Sequence, residues 1–399
     1  MNIINRKQVY TALLLLPYFF AATGMLVLDG GDKRMIPLIL ISIITSILIF
    51  KKETILSNMR EPFIWLIVTS CIYTLFSYYY HGSSSRELRA LIGVSLFLLF
   101  FPYKLLTKKI TIGTVFIGGI FVLINSTYLN IYMGIARNSG YINPIPYATA
   151  CSLLAIIAFS LSIGSFERKE IRVSFISFLL YLPPIVLSES RGVWLAFSVT
   201  LIILIIVKCL KRTPTKKQVI VTILTALVLS STALFCFKGN IKHRYDKTIY
   251  EIKKIQDNNY YTSIGFRFQM WMLVPELFEK SPLLGHGQEH RELLKKMLKN
   301  KDIGLHLFNL ASSHYHNQFL DKIVRGGIIG LILLVITLTY PLTRLRNLQE
   351  HEVYIVVGIT SLFFIAGLTD VPFNHPQPLM LYLLFLVPIC SRGKRVTND

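Results

Sequence analysis

Apolar stretches of bilayer-spanning length follow one another along almost the whole chain, and this feature constrains the fold more than any other. A helix needs about 20 apolar residues to cross the hydrocarbon core. Candidate spans lie at 9–28, 35–50, 62–80, 88–106, 110–128, 146–166, 172–188, 190–208, 218–237, 318–340, 353–372 and 377–391. Of the 399 residues 53% are hydrophobic and only 16% charged, and mean hydropathy is +0.54. A water-facing surface for a chain of this size needs more charge. The pattern predicts an all-α integral membrane protein with about 12 transmembrane helices. No small-residue cleavage site follows residues 9–28, so they read as the first span and not as a removed signal. One membrane domain is expected: helices one to nine within 1–237, a large outer loop at 238–317, and helices ten to twelve with a tail within 318–399.

A net charge of +21 would suggest nucleic acid, but in a polytopic protein the positive-inside rule is tested first. With the N-terminus inside, the cytoplasmic segments and adjoining span ends hold half of all Lys and Arg, from Arg6 and Lys7 to Lys394 and Arg395. The short outer connections hold few: Lys33, Arg34, Arg86, Arg89, Arg137 and Arg191. The alternation persists across all twelve spans and predicts cytoplasmic termini with 238–317 outside. Much of the charge therefore orients the chain against anionic lipid, and no nucleic-acid partner is expected. Cys71, Cys151, Cys209, Cys236 and Cys390 lie in or beside apolar segments, without zinc-ligand spacing, and read as small buried hydrophobes.

The outer loop carries helical periodicity. Ile249, Ile252 and Ile255 recur in 245–258; Trp271, Val274, Leu277 and Phe278 do so in 267–280, where Pro275 should kink or shorten the helix. A turn is expected at Ser281-Pro282-Leu283-Leu284-Gly285-His286-Gly287. A third amphipathic piece follows at 288–301, through Leu293, Leu294, Met297 and Leu298.

Three outer-face segments stand out, because charge at a membrane boundary is costly. Ser188-Glu189-Ser190-Arg191-Gly192 sits at a tight connection, where Arg191 can hold an anion bidentately or merely pair with Glu189. Gly265-Phe266-Arg267-Phe268 opens an amphipathic helix with an arginine among aromatics; snorkelling alone would also explain it. Ser312-Ser313-His314-Tyr315-His316-Asn317-Gln318 runs into the tenth span, with Gly327-Ile328-Ile329-Gly330 beyond. Those glycines would let the helix approach a neighbour closely. A neutral imidazole at His316 suits general-base work near neutral pH, against the alternative of a satisfied structural histidine. There is no Walker-type loop, HExxH, GxSxG or Asp-x-Asp metal pair. Outside the cytoplasm no ATP is at hand, so a substrate must carry its own activation; a lipid-linked sugar diphosphate does, and arginines can neutralise it.

In these segments the chain resembles the O-antigen ligases within the O-antigen ligase and polymerase superfamily. The match rests on His316-Asn317 followed by Gly327 and Gly330, on Arg191 in Ser-Glu-Ser-Arg-Gly, and on Arg267 ahead of a Ser-Pro turn. The resemblance implies a GT-C-like glycosyltransferase of a Gram-negative inner membrane, working at the periplasmic face without metal or other cofactor. It implies undecaprenyl-diphosphate-linked O-antigen as donor and a sugar hydroxyl of lipid A–core oligosaccharide as acceptor. His316 is then the expected base, with Arg191 and Arg267 stabilising the leaving diphosphate in an inverting displacement. His314, Asn317, Glu189, Arg86, Arg89 and Arg137 are candidate substrate-binding residues, and Glu189 is an alternative base. Competing expectations are an O-antigen polymerase or protein O-oligosaccharyltransferase of the same superfamily and, in a different class, a secondary transporter or flippase. Transporters built from repeats show matching halves and midplane breaks, whereas here the polar features gather at one face.

Overall fold

The structure, a computed structural model, describes residues 3–211 and 237–392. Every regular element among them is helical. Nine of these helices are long and apolar enough to cross a membrane: Arg6–Val27, Gly31–Phe50, Pro62–Tyr80, Lys108–Tyr132, Pro144–Gly164, Arg168–Leu187, Arg191–Lys211, Gln318–Asn347 and Glu350–Gly367. The chain is a multi-pass, all-α membrane protein, as lipid demands when each backbone polar group must be paired within its own segment. Two more expected spans are shorter helices, Ser85–Phe100 with 16 residues and Pro376–Arg392 with 17. The first stops well before residue 106 because Pro102 drives Phe101 into extended backbone, φ −80° and ψ 126°. The expected span 218–237 lies, but for its last residue, outside the described residues, as do Cys236, Arg212, Lys216, Lys217, Lys394 and Arg395.

Burial ranks the helices. The apolar window of Pro144–Gly164 is 89% buried, against 28% for Gly31–Phe50 and for Pro62–Tyr80. The inner helix is rich in small residues, Thr149, Ala150, Cys151, Ser152, Ala155 and Ala158, which let backbones approach. Its neighbour answers in kind: a Cβ on Gly358 would lie 2.4 Å from Ile156 Cγ2. Buried tyrosines tie helices across the bundle, where no water competes. Tyr18 Oη donates to the Leu384 carbonyl at 2.8 Å, Tyr181 Oη to Val115 at 2.8 Å and Tyr382 Oη to Thr337 at 2.9 Å. At one end of the bundle Lys108 pairs with Glu170 at 2.5 Å and Arg392 with Glu352 at 3.3 Å. The opposite end carries Arg191, His316 and Asp370.

The large loop is a helical unit with its own core. It comprises Lys238–Gln256, Ser263–Met272, Val274–Lys280, His290–Asn300 and Leu305–Ala311. The expected 267–280 helix is split at Leu273, and Pro275 sits in the first turn of the second piece, where its missing N–H costs nothing. Phe266, Met270, Leu277, Leu294, Met297, Leu307 and Tyr315 pack together and reach the bundle through Val324.

The turn at 281–287 locks this unit in place. The Gln318–Thr343 helix is broken at Gly327, φ 56° and ψ −160°. A break strands backbone groups that must find partners. The turn provides them: His286 N donates to Val324 O at 2.8 Å, Gly287 N to Arg325 O at 2.9 Å, and Ile328 N to Pro282 O at 2.8 Å. The close neighbour of Gly327 is therefore turn backbone, not another helix. A Cβ there would lie 2.3 Å from Leu283 O, whereas one at Gly330 would meet nothing nearer than Tyr73 Cε1 at 3.5 Å. Positive φ adds about 1–2 kcal/mol for any side chain. Gly327→Ala should lower the thermal unfolding midpoint of the detergent-solubilised protein far more than Gly330→Ala, and equal midpoints would contradict the account.

Candidate active site

Where the loop unit meets the ends of the bundle they enclose a cavity of about 520 Å³. Its wall includes Arg191, Arg267 and His316, brought together from three separate segments, and also Arg137.

Arg191 begins the Arg191–Lys211 helix, with Gly192 behind it. A Cβ on Gly192 would lie 2.3 Å from Thr369 Oγ1, so glycine is what lets this helix end come up against the 369–370 turn. The guanidinium is held by the loop. Nη2 donates to both oxygens of Glu251 at 3.0 and 3.2 Å, and Nη1 to Thr248 Oγ1 at 2.9 Å. Glu251 is only 2% exposed. The carboxylate thus keeps Arg191 extended into the cavity wall and reduces the charge available to a ligand.

Arg267 is presented by the short helix Ser263–Met272. Thr262 caps it, accepting from Gly265 N at 3.1 Å, and Trp271 Nε1 fixes its far end by donating to the Tyr315 carbonyl at 2.9 Å. No described side chain holds the half-buried Arg267 guanidinium in a hydrogen bond or ion pair. Burial lowers its pKa, Asp370 opposes that, and Arg191 adds to it. Burying a cation with little compensation is costly, so an anion entering the cavity finds its strongest unspent partner here.

His316 stands in left-handed backbone, φ 48°. Its Nδ1 lies 3.2 Å from Asp370 Oδ1. With the proton on Nδ1 donated to that carboxylate, Nε2 carries the lone pair, the arrangement a general base needs. Burial pushes the Asp370 carboxyl up, but the His316 hydrogen bond and three nearby histidines outweigh it and hold the acid below its usual range. Beneath the pair lies a clasp built on Asp321, 1% exposed. Its Oδ1 accepts from Tyr315 N at 3.2 Å and Arg325 Nε at 3.2 Å, and its Oδ2 from Asn374 Nδ2 at 2.6 Å. Gln318 completes the join, donating to Asn374 Oδ1 at 3.0 Å and accepting from Phe373 N at 2.8 Å. The histidine loop and the Asp370 turn are held against each other by these bonds.

The other sequence candidates fall in different places. Arg137 lines the cavity in left-handed backbone, φ 58°, its Nε donating to Ser188 O at 3.2 Å. His314 lies beside His316, ring centroids 4.1 Å apart, behind the cavity wall. Asn317 caps the Gln318–Thr343 helix, Oδ1 accepting from Phe319 N and Leu320 N. Glu189 is 6% exposed, and its oxygens take Arg244 Nε at 2.8 Å and Asn240 Nδ2 at 2.7 Å. Arg89 pairs with Asp32 at 3.5 Å, and Arg86 is exposed; neither touches the cavity. Asp370, Glu251 and Arg244 were not singled out from the sequence. A signal existed for two of them: Arg244, Thr248 and Glu251 recur at i, i+4, i+7, one charged face on a helix. Asp370 is a lone acid in Leu368-Thr369-Asp370-Val371, where outer carboxylates are scarce.

Comparison with known proteins follows the same segments. Residues 176–335 match the family model described as O-Antigen ligase. The chain is similar to an uncharacterized protein of Haemophilus influenzae, 25% identical over 365 residues that cover 88% of each chain. It is also similar to the exopolysaccharide production protein ExoQ of Rhizobium meliloti, 26% identical over 129 residues, 30% of this chain and 29% of that protein. The family match includes Arg191, Arg267 and His316 and stops short of Asp370.

Two histidines make this region sensitive to acid. Burial pushes His314 down to about 4, helped by His316, and pushes His290 down to about 4, helped by Arg325. An unfolded chain protonates both near 6.5 while the fold resists until about 4, so their stabilisation is complete above 6.5 and is lost as pH falls through that window. Shifts of this size are each worth on the order of 3 kcal/mol. The thermal midpoint should drop between pH 7 and pH 4.5, and less so in His314→Gln. A flat profile in the parent chain would refute this.

Proposed function

We propose, taking residues 176–335 as an O-antigen ligase domain, that the chain transfers a polysaccharide from undecaprenyl diphosphate to a sugar hydroxyl of lipid A–core oligosaccharide. The observation that carries this reading is that Arg191, Arg267 and His316, far apart in sequence, line one cavity at an end of a membrane bundle. The reaction needs such a place: both substrates are lipids, and their sugars meet just above the bilayer. The basic bias of the opposite connections supports the reading of this end as extracytoplasmic with both termini in the cytoplasm, which in the ligase reading means the periplasmic face of a Gram-negative inner membrane.

The geometry supports the following chemistry. His316 donates Nδ1–H to Asp370 and turns its Nε2 lone pair to the acceptor hydroxyl. As Nε2 takes the proton, the acceptor oxygen attacks the anomeric carbon and the bond to the diphosphate breaks from the opposite side, inverting the centre. The imidazolium is stabilised by Asp370. The departing lipid diphosphate gains one negative charge, and Arg267, which no described carboxylate holds in an ion pair, is the group best able to meet it. Arg191 stands in the same wall, tempered by Glu251, and Arg137 reaches the cavity from a third side.

A polymerase would use the same donor and base, with a growing lipid-linked chain as acceptor; the similarity to an exopolysaccharide production protein keeps this second reading in view. A deletion strain separates them: lost ligation leaves rough lipopolysaccharide and accumulated lipid-linked polymer, whereas lost polymerisation leaves single-repeat caps.

With purified lipid-linked donor and rough lipopolysaccharide, His316→Ala should slow transfer by a factor of 10²–10⁴, about what loss of a general base costs. Arg267→Ala should lower it by about 10²–10³, chiefly in kcat. Wild-type rates in His316→Ala, or a product with retained anomeric configuration, would sink the mechanism.

A further inference from the structure

The carboxylate oxygen that aims His316 also faces a second imidazole. His314 Nε2 lies 3.6 Å from Asp370 Oδ1, and His316 Nδ1 lies 3.2 Å from the same oxygen. The three ligand-bearing atoms all fall within 4.8 Å of one another. Tetrahedral zinc, with bonds of about 2.0–2.2 Å, sets its ligand atoms about 3.3–3.6 Å apart. Two of the three edges here are already close to that length. The donors are two imidazoles and one carboxylate, a set that suits zinc and its transition-metal neighbours and not magnesium or calcium, which prefer all-oxygen shells. His314 is further oriented from behind, its Nδ1 lying 3.1 Å from Ser313 Oγ, the kind of outer contact that metal-binding histidines use. His316 and Asp370 both line the cavity, so a fourth position is open to water or ligand.

We propose that His314 Nε2, His316 Nδ1 and Asp370 Oδ1 form a binding site for a zinc-type dication, and that occupancy of this site shuts off transfer. The site and the base are mutually exclusive. A metal on Nδ1 takes the lone pair that would otherwise be protonated, so the proton of the neutral ring moves, through solvent, to Nε2. That nitrogen then faces the acceptor as a donor and cannot accept a proton. Asp370 exchanges its hydrogen bond for a metal bond in the same event. No metal is consumed in the reaction; the ion acts as a brake. Binding depends on the three atoms alone, while the shut-off rests on His316 acting as base.

The test begins without substrate. The full-length protein in detergent is freed of metal and titrated with Co²⁺, then with Zn²⁺. The expected result is one equivalent bound, the intense visible absorption of tetrahedral cobalt, and its bleaching by zinc. His314→Asn and Asp370→Asn, each checked for an unchanged elution profile, should both lose the signal. Absence of the cobalt spectrum in the parent chain, or its persistence in His314→Asn, overturns the site. Transfer is measured separately. Saturating zinc should slow the parent enzyme by roughly the hundredfold that loss of a general base costs, with recovery on chelation. In His314→Asn the ratio of rates with and without zinc should stay near one, whatever that variant's own rate. Stoichiometric binding with no slowing would overturn the shut-off alone, and an inactive parent chain that still binds cobalt would refute the transferase reading while leaving the site intact.

Discussion

The buried carboxylate of Asp321 is the interaction on which the rest of the site depends. A charge with almost no exposure inside a membrane protein is affordable only when every oxygen is answered, and here a main-chain N–H, a guanidinium and an amide answer it. These donors come from the histidine loop, from the same helix one turn on, and from the turn after the eleventh expected span. The electrostatic need of one acid therefore registers two loops against each other, and His316 and Asp370 ride on those loops. The left-handed backbone at His316 costs about 1 kcal/mol or more and persists because its neighbours on both sides are pinned.

The two arginines expected to act alike are committed very differently. Arg191 is tied to Glu251 and Thr248 on one helical face of the loop unit, so part of its charge is spent on holding the unit to the bundle. Among the described residues no side chain holds Arg267 in a hydrogen bond or ion pair. The wall thus combines one cation that is also a strut with another that no described side chain ties down, a division that composition does not reveal.

Local chemistry was legible in the sequence; long-range pairing was not. Apolar length located eleven helices among the described residues, because in lipid the requirement is length and pairing within a segment. The loop's stripes located three of its helical stretches, and the split at Leu273, just ahead of Pro275, follows from proline's own geometry. Arg191, Arg267 and His316 were visible because charge at the boundary of an apolar chain is conspicuous. Asp370 was not, since its meaning depends on a partner 54 positions away. Asn317 and Glu189 were visible for the same reason as His316, yet their side chains serve as a cap and as the anchor for Arg244. The pair Gly327 and Gly330 suggested helix–helix contact, and only the fold shows that the first accommodates the turn backbone at Leu283 and Gly285, far upstream in sequence.

That last arrangement has a consequence for how the molecule is made. The turn at 281–287 is synthesised before the span whose broken backbone it completes, so it must wait, its N–H and C=O groups satisfied by water, until the later span has entered the bilayer. Only then can strut, clasp and cavity close together. The cavity is thereby completed late in biogenesis, after the Gln318–Thr343 and Glu350–Gly367 helices have entered the membrane.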